Sequence, residues 1–188
     1  MEKYLHQEKS DCLKVVLFGP ESTGKSSLAK ELADYYDTNF VPEYARDYLQ
    51  DKWDKYNKLC ELDDLIPIAM GQIKSENKFS RTANKILFCD TDLLTTATYS
   101  KLYFDGYCNP ILEKSLMTHN YDLYLLMDID ISWVKDDLRD RPKHRKLFYS
   151  AFKNALLKNR RKFKIISGSF KKRKETSIDY INKSLNLQ

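Results

Sequence analysis

The residues best suited to chemistry form one stretch near the start of the chain, residues 19–26. They read Gly-Pro-Glu-Ser-Thr-Gly-Lys-Ser and fit the phosphate-loop pattern G-x-x-x-x-G-K-[ST] at every fixed position. The two glycines allow a tight turn in which successive amide N–H groups point at phosphate oxygens. Lys25 can then reach the β- and γ-phosphates as a catalytic residue, and the Ser26 hydroxyl can ligate Mg2+. The predicted nucleotide contacts are Gly19, Glu21, Ser22, Thr23, Gly24, Lys25, Ser26 and Ser27.

The flanking residues have the pattern that this loop requires, a strand before it and a helix after it. Residues 13–18 form a short, mostly apolar run with β-branched residues, typical of a central parallel strand. Apolar residues at 28, 29, 32 and 33 form a helical stripe. The alternative, an ordinary glycine turn between strand and helix, is disfavoured because this context matches.

A glutamate and an arginine follow a second short strand, predicted at residues 39–42. The carboxyl ends of parallel strands face the ligand crevice, so Glu43 and Arg46 are predicted to bind substrate there. Glu43 could accept a proton during catalysis, and Arg46 could meet a transferred phosphate. The alternative is a helix-start carboxylate with a solvated arginine three residues on.

Two aspartates mark the end of a third predicted strand, residues 85–90. In phosphate-loop proteins a carboxylate at such a position holds Mg2+ directly or through water. We predict Asp90 as a metal ligand together with Ser26, and Asp92 as a catalytic residue on the substrate side. Capping of the next helix is the alternative for Asp92.

A basic segment follows the fourth predicted strand, residues 121–127. In phosphoryl-transfer enzymes, arginines on a closing lid neutralise the charge of the moving phosphate. We predict a lid at about residues 133–148, with Arg139 as a catalytic residue and Arg141 as a second candidate. The alternative is a solvated basic helix face.

A fifth predicted strand, residues 162–166, ends at Ser167 and Gly168, where a flat base could lie against the backbone. A final helix is predicted at about residues 172–187. Five strands alternating with helices predict an α/β, three-layer phosphate-loop NTPase fold: a five-stranded, mainly parallel sheet with helices on both faces and a small basic lid. Residues 13–188 are predicted to form one domain, and residues 1–12 a polar leader without fixed structure.

The charge of the chain is uneven. Its net charge is +5, yet residues 139–174 contain 15 Lys or Arg and one acid, Asp140. This asymmetry predicts an anionic partner, either polyphosphate or nucleic acid. Nucleic acid is disfavoured because no helix-turn-helix, zinc or aromatic RNA-binding motif is visible. The basic cluster at 171–174 is interpreted as a solvated helix start.

Composition and cysteine spacing also indicate where the protein is located and whether it holds a metal cluster. Apolar runs are too short to span a membrane and the N-terminus has no signal-peptide core, so we expect a cytoplasmic protein. The four cysteines are 48, 29 and 19 positions apart, which excludes a C-x-x-C pair. We expect reduced thiols and no metal cluster.

Taken in order, these motifs resemble the nicotinamide riboside kinase domain of NadR-type NAD-synthesis proteins, a branch of the phosphate-loop small-molecule kinases. The matching segments are GPESTGKS at 19–26, VPEYAR at 41–46, FCDTD at 88–92, YDLYLL at 121–126, ISWV at 131–134 and ISGS at 166–169. The resemblance implies ATP- and Mg2+-dependent transfer of the γ-phosphate to the 5′-hydroxyl of nicotinamide riboside, which gives the mononucleotide.

The same resemblance implies roles for individual residues. Asp90 and Asp92 belong to the Mg2+ and ribose region, and Glu43 with Arg46 lies at the substrate. Trp133 contacts the nucleoside, with a hydrophobic plug at a strand end as the alternative, and Ser167 with Gly168 borders the adenine.

Two departures from the family pattern stand out. Asp137 stands where a glycine is expected before the Leu-Arg of the lid, and we expect no adenylyltransferase domain, because the H-x-G-H motif is missing.

The expected mechanism is in-line transfer with Glu43 or Asp92 as the base. The rival functions are a kinase for another nucleoside or small alcohol, and a nucleic-acid-associated regulatory ATPase.

Overall fold

The computed structural model describes residues 2–139 and 141–186. The strands are β1 (Leu13–Phe18), β2 (Phe40–Val41), β3 (Ile86–Asp90), β4 (Leu123–Met127) and β5 (Phe163–Ile166). The α-helices are α1 (Lys25–Tyr35), α2 (Tyr44–Tyr56), α3 (Leu65–Ser80), α4 (Leu93–Tyr103), α5 (Pro110–Leu116), α6 (Arg145–Lys158) and α7 (Phe170–Leu185). Short 3-10 helices occupy Glu2–Leu5, Leu62–Asp64 and Pro142–His144.

The five strands form one parallel sheet in the order β2-β3-β1-β4-β5. β1 lies at its centre, where Leu17 is level with Asp90 of β3 on one side and with Leu125 of β4 on the other. All strands therefore end at one edge, and the loops that follow them meet there. The predicted parallel α/β architecture is confirmed.

Side chains alternate along β1 and divide the core between the two faces of the sheet. Val16 and Phe18 belong to a cluster with apolar residues of α3, α4, α5 and α6. Val15 and Leu17 belong to a second cluster with α1 and α7. These two clusters produce the three layers and hold the loop after β1 at the carboxyl edge.

The predicted boundaries needed small corrections. β1 has the predicted bounds, whereas β2 to β5 each begin one or two residues later than predicted. Helix α7 begins at Phe170, two residues before its predicted start. Its predicted end at residue 187 lies outside the described residues. Helix α5 was not predicted, although Asn109 followed by Pro110 is a readable start signal: the Asn109 side chain accepts a hydrogen bond from the Ile111 N–H.

The N-terminal segment is not unstructured over its described residues 2–12. Leu5 is buried in the core, and the Gln7 side-chain amide donates to Glu76 of α3 (2.6 Å). The Asn77 side chain accepts from the Glu8 N–H (2.9 Å). One apolar anchor and a few hydrogen bonds thus order a run whose polar composition suggested a loose leader.

Among the described residues, every helix is too short or too polar to cross a membrane.

Candidate active site

A cavity of about 570 Å3 opens at the carboxyl edge of the sheet. The phosphate loop forms one wall, and the starts of α2 and α3 form another. Residues of α4 and the predicted lid complete it, including Tyr99, Tyr103, Arg139 and Arg141. A cavity of this volume suits a small molecule of nucleoside size.

The phosphate loop has the backbone geometry expected of the motif. Gly19 has φ +137°, and a Cβ there would lie 3.1 Å from the Met127 carbonyl oxygen. Gly24 precedes α1 with φ +81°. Lys25 is buried, and its ammonium donates to the Pro20 carbonyl oxygen (2.9 Å). The ammonium therefore lies folded back against the loop that it is predicted to serve.

The segment after β4 holds the phosphate loop from outside. Ser22 adopts φ +55°, uncommon for a non-glycine residue. Its hydroxyl accepts from the Val134 N–H (2.9 Å), and its carbonyl accepts from Arg145 (3.3 Å). The Trp133 indole N–H points at a Glu21 carboxylate oxygen (3.4 Å). Trp133 thus packs on the loop and is absent from the cavity wall, which favours a packing role over the predicted substrate contact.

Asp90 lies at the end of β3 and is 1% exposed. Its Oδ1 has no hydrogen-bond partner among the described residues, while the carboxylate contacts the Ser26 hydroxyl. Burial, reinforced by the negative charge of Glu43, raises the pKa of Asp90 to about 7. A buried, incompletely bonded carboxylate beside a hydroxyl fits a Mg2+ site, because this ion prefers oxygen ligands.

Asp92 has a different environment although it is equally buried. One oxygen accepts from the Thr95 N–H (2.9 Å) and hydroxyl (3.0 Å), and the other accepts from the Tyr124 hydroxyl (2.7 Å). Asp92 is thus the N-cap of α4, and it is absent from the cavity wall. Because both oxygens are already bonded inside the core, these contacts favour the capping alternative for Asp92, and its substrate and catalytic role stays a prediction.

Glu43 and Arg46 both line the cavity at the start of α2, as the strand order predicts. The Glu43 side chain makes no capping hydrogen bond, so the helix-start alternative lacks its usual contact. Arg46 is not merely solvated, because its guanidinium donates to Asp136 (2.7 Å). This hydrogen bond raises the pKa of Arg46.

Asp136 joins the two predicted phosphate-binding arginines. Its Oδ2 meets Arg46 and also the Arg139 Nε (3.1 Å), while its Oδ1 accepts from the backbone N–H groups of Leu138 and Arg139. Arg141 lies 4.3 Å from the centre of the Tyr103 ring. The lid segment therefore faces the cavity; Asp140 within it lies outside the described residues.

The sequence did not single out Gln72 on α3, which is 2% exposed and lines the cavity. Its Oε1 accepts from the Tyr44 N–H (2.9 Å), which fixes the orientation of the amide. The Nε2 then has no partner in the part of the chain that the structure describes. A buried donor that lines a cavity is suited to binding a ligand oxygen.

The basic cluster at 171–174 was interpreted wrongly for Arg173. Arg173 is 2% exposed, and Lys174 pairs with Glu31 (2.6 Å). A readable signal existed, because Arg173, Ser177 and Ile181 recur at four-residue spacing and all three are buried in α7. Arg173 contacts the loop of Ser167 and Gly168, whose predicted contact with adenine stays a prediction.

Comparison with known proteins places the chain in a family. A family model described as an AAA domain matches residues 14–173. The chain belongs to this AAA-domain family.

Curated relatives of this AAA-domain chain include the trifunctional NAD biosynthesis/regulator protein NadR of Salmonella typhimurium, 33% identical over 125 residues. The match covers 66% of this chain and 30% of that protein, and NadR of Escherichia coli gives the same figures. The chain thus matches about a third of the length of these relatives. The resemblance to NadR-type proteins is confirmed.

Solved structures share the fold. A NadR protein in complex with NR has a TM-score of 0.79 at 24% identity, over 95% of this chain and 53% of that one. A NadR protein in complex with NAD and AMP-PNP has a TM-score of 0.74 at 24% identity, over 95% and 51%. These likenesses support the three-layer architecture described above.

Proposed function

We propose that this chain is a kinase that transfers the γ-phosphate of ATP to the 5′-hydroxyl of nicotinamide riboside. One observation carries the proposal: the phosphate loop, Glu43 and the paired Arg46 and Arg139 line one cavity in a chain 33% identical to a NAD biosynthesis protein. One NadR structure holds NR, the usual abbreviation of nicotinamide riboside, and another holds AMP-PNP, an ATP analogue.

The triphosphate would bind at the phosphate loop. Amide N–H groups of the loop and the N-terminus of α1 favour anionic oxygens there. Lys25 would exchange its bond to the Pro20 carbonyl for one to phosphate, which requires only rotation of a flexible side chain.

Ser26 and Asp90 are the residues that would hold Mg2+. When bound, the ion neutralises charge on the β- and γ-phosphate oxygens. Burial raises the pKa of Asp90, and a bound cation would lower it again because a nearby positive charge favours the ionised carboxylate.

The acceptor hydroxyl would lie near Glu43. Of the two bases that the sequence left open, Glu43 lines the cavity, whereas both oxygens of Asp92 are bonded to core residues. Glu43 can orient the hydroxyl and take its proton as the phosphoryl group arrives. Arg46 and Arg139, which Asp136 holds next to each other, can neutralise the transferring phosphate.

The remaining cavity wall suits a flat ring with polar substituents. Tyr99 and Tyr103 supply aromatic surface, and Leu49 and Ile68 supply apolar surface. Gln72 presents its amide N–H donors in the same region, and no described residue accepts from them. An apolar wall with a few placed polar groups is the usual form of a nucleoside pocket.

The nucleic-acid rival loses part of its basis in the structure. Arg145 and Arg161 donate to backbone carbonyls within the protein, and Arg173 is buried. These charges of the basic segment are used for internal bonding, so they are not displayed to a polyanion.

The test is ADP production by the purified protein with Mg2+-ATP, alone and with nicotinamide riboside, uridine, thymidine or RNA. We expect stimulation by nicotinamide riboside only. Lys25→Ala should abolish it, while Lys30→Ala, an exposed lysine on the same helix, should not. Equal melting temperatures of the two variants would exclude unfolding as the cause. Stimulation by RNA alone would reject the kinase and favour the ATPase.

A further inference from the structure

Arg173, at the start of α7, uses all three guanidinium nitrogens inside the protein. Its Nε donates to the Gly168 carbonyl (2.9 Å), and its Nη1 donates to the Thr23 carbonyl (2.9 Å). Its Nη2 donates to the Asp128 carbonyl (3.2 Å) and to the Asp130 carboxylate. One side chain therefore joins the phosphate loop, the end of β4 and the loop after β5.

Asp130 extends this connection to the other side of Gly168. Its Oδ2 accepts from the Gly168 N–H (2.5 Å), while its Oδ1 meets Arg173. The loop at Gly168 is thus held by its N–H through Asp130 and by its carbonyl through Arg173. Gly168 has φ +97°, a conformation that glycine adopts readily, and these two bonds select it from the many that glycine can adopt.

The bond to Thr23 also has a consequence for the phosphate loop. In a planar trans peptide the Thr23 carbonyl and the Gly24 N–H point in opposite directions. Because the Thr23 carbonyl is fixed on Arg173, the Gly24 N–H is directed away from Arg173. Gly24 and Lys25 line the cavity, whereas Arg173 does not. A charged donor on the carbonyl also polarises the peptide and makes its N–H a stronger donor to phosphate.

We propose that Arg173 is a positioning residue that fixes the phosphate loop relative to the loop at Gly168, so that both ends of one nucleoside triphosphate find preorganised partners. The proposal rests on the proposed function in taking ATP as the ligand, and on the sequence-based prediction that Ser167 and Gly168 border the adenine. Arg173 itself touches no ligand in this role. Its arm to Thr23 serves the phosphates, and its arm through Asp130 and Gly168 serves the base.

The test measures equilibrium binding of ATP, inorganic tripolyphosphate and nicotinamide riboside to the full chain. Arg173→Met should lower the affinity for ATP and for tripolyphosphate by about tenfold or more, because a charged hydrogen-bond donor is lost. The affinity for nicotinamide riboside should not change. Arg173→Lys keeps the charge without the planar fork and should show an intermediate loss. Lys174→Met removes a neighbouring surface ion pair and should change none of the three.

Asp130→Ala separates the two arms. It removes the acceptor of the Gly168 N–H but leaves the bond from Arg173 to Thr23. The affinity for ATP should therefore fall, while the affinity for tripolyphosphate should equal that of the wild type. If Arg173→Met fails to fold, Arg173→Lys with Asp130→Ala decides the question.

Several results would overturn the proposal. Wild-type ATP affinity in folded Arg173 variants would do so, and so would an equal loss for nicotinamide riboside, because a general structural defect weakens both sites. If the wild-type chain binds no ATP, the proposed function fails as well. If it binds ATP with the predicted pattern but phosphorylates no riboside, only the proposed acceptor is rejected.

Discussion

Replacement of Asp92 separates a structural carboxylate from a catalytic one. Asp92→Ala removes the cap of α4, which costs about 1 kcal/mol, and leaves the buried Tyr124 hydroxyl without its acceptor, which costs about 1–3 kcal/mol. We expect the free energy of unfolding to fall by about 2–4 kcal/mol, measured by urea denaturation. Asp92→Asn keeps an oxygen for the Thr95 N–H, so it should lose less.

Activity supplies the decisive comparison, because Asp92→Asn should fold and keep most of its kcat. Glu43→Gln should lower kcat by about 100-fold or more, the usual contribution of a general base. Asp47→Asn, an exposed acid one turn along α2, controls for the loss of a negative charge. If folded Asp92→Asn lost kcat as severely as Glu43→Gln, the placement of Asp92 as a cap without catalytic function would be refuted.

Three further predictions concern residues of the same cavity. Burial raises the pKa of Asp90 from 3.8 to about 7, so in the folded state this carboxyl is neutral at pH 5 and ionised at pH 8. In the unfolded state it is ionised at both pH values. Asp90→Asn should therefore stabilise the metal-free protein more at pH 8 than at pH 5. The difference should be about 3 kcal/mol by urea denaturation, and equal effects at both pH values would contradict the shift. Asp136→Asn removes the charge that holds Arg46 and Arg139 together. We expect kcat to fall about tenfold at an unchanged melting temperature. An unchanged kcat would show that this pairing does not position the arginines. Gln72→Glu keeps the oxygen that binds the start of α2 but removes both amide donors. In steady-state kinetics, KM for the acceptor should therefore rise about tenfold while KM for ATP stays constant. The reverse pattern would place Gln72 at the nucleotide.

The parts of the site that sequence could predict depend on local chain geometry. Residues 19–26 carry their own turn, donors and lysine, and the apolar strand before them fixes where the loop lies. Glu43, Arg46 and Asp90 follow directly from the rule that parallel strands end at one edge. The structure places all three there, with Glu43 and Arg46 on the cavity wall.

The parts that sequence could not predict depend on distant partners. Asp90 and Asp92 are two positions apart and equally acidic, yet the Tyr124 hydroxyl of β4 engages only Asp92. Arg173 stands among three lysines, and its partner Thr23 is 150 positions away. Such pairings arise from the packing of strands and helices, which composition and spacing do not specify.

The lid combines both situations. Its position and its arginines were predicted from the basic run after β4, and Arg139 and Arg141 line the cavity. The shared carboxylate of Asp136 was not predicted, because it pairs with Arg46 across 90 positions. This contact links α2 to the predicted lid segment.

The most direct test of the account is identification of the product by 31P NMR after incubation with Mg2+-ATP and nicotinamide riboside. The account predicts one ADP and one 5′-phosphomonoester of the riboside for each ATP consumed, with no signal growth in the Lys25→Ala variant. Release of inorganic phosphate with ADP, and no phosphorylated riboside, would contradict the claim that this chain is a nicotinamide riboside kinase.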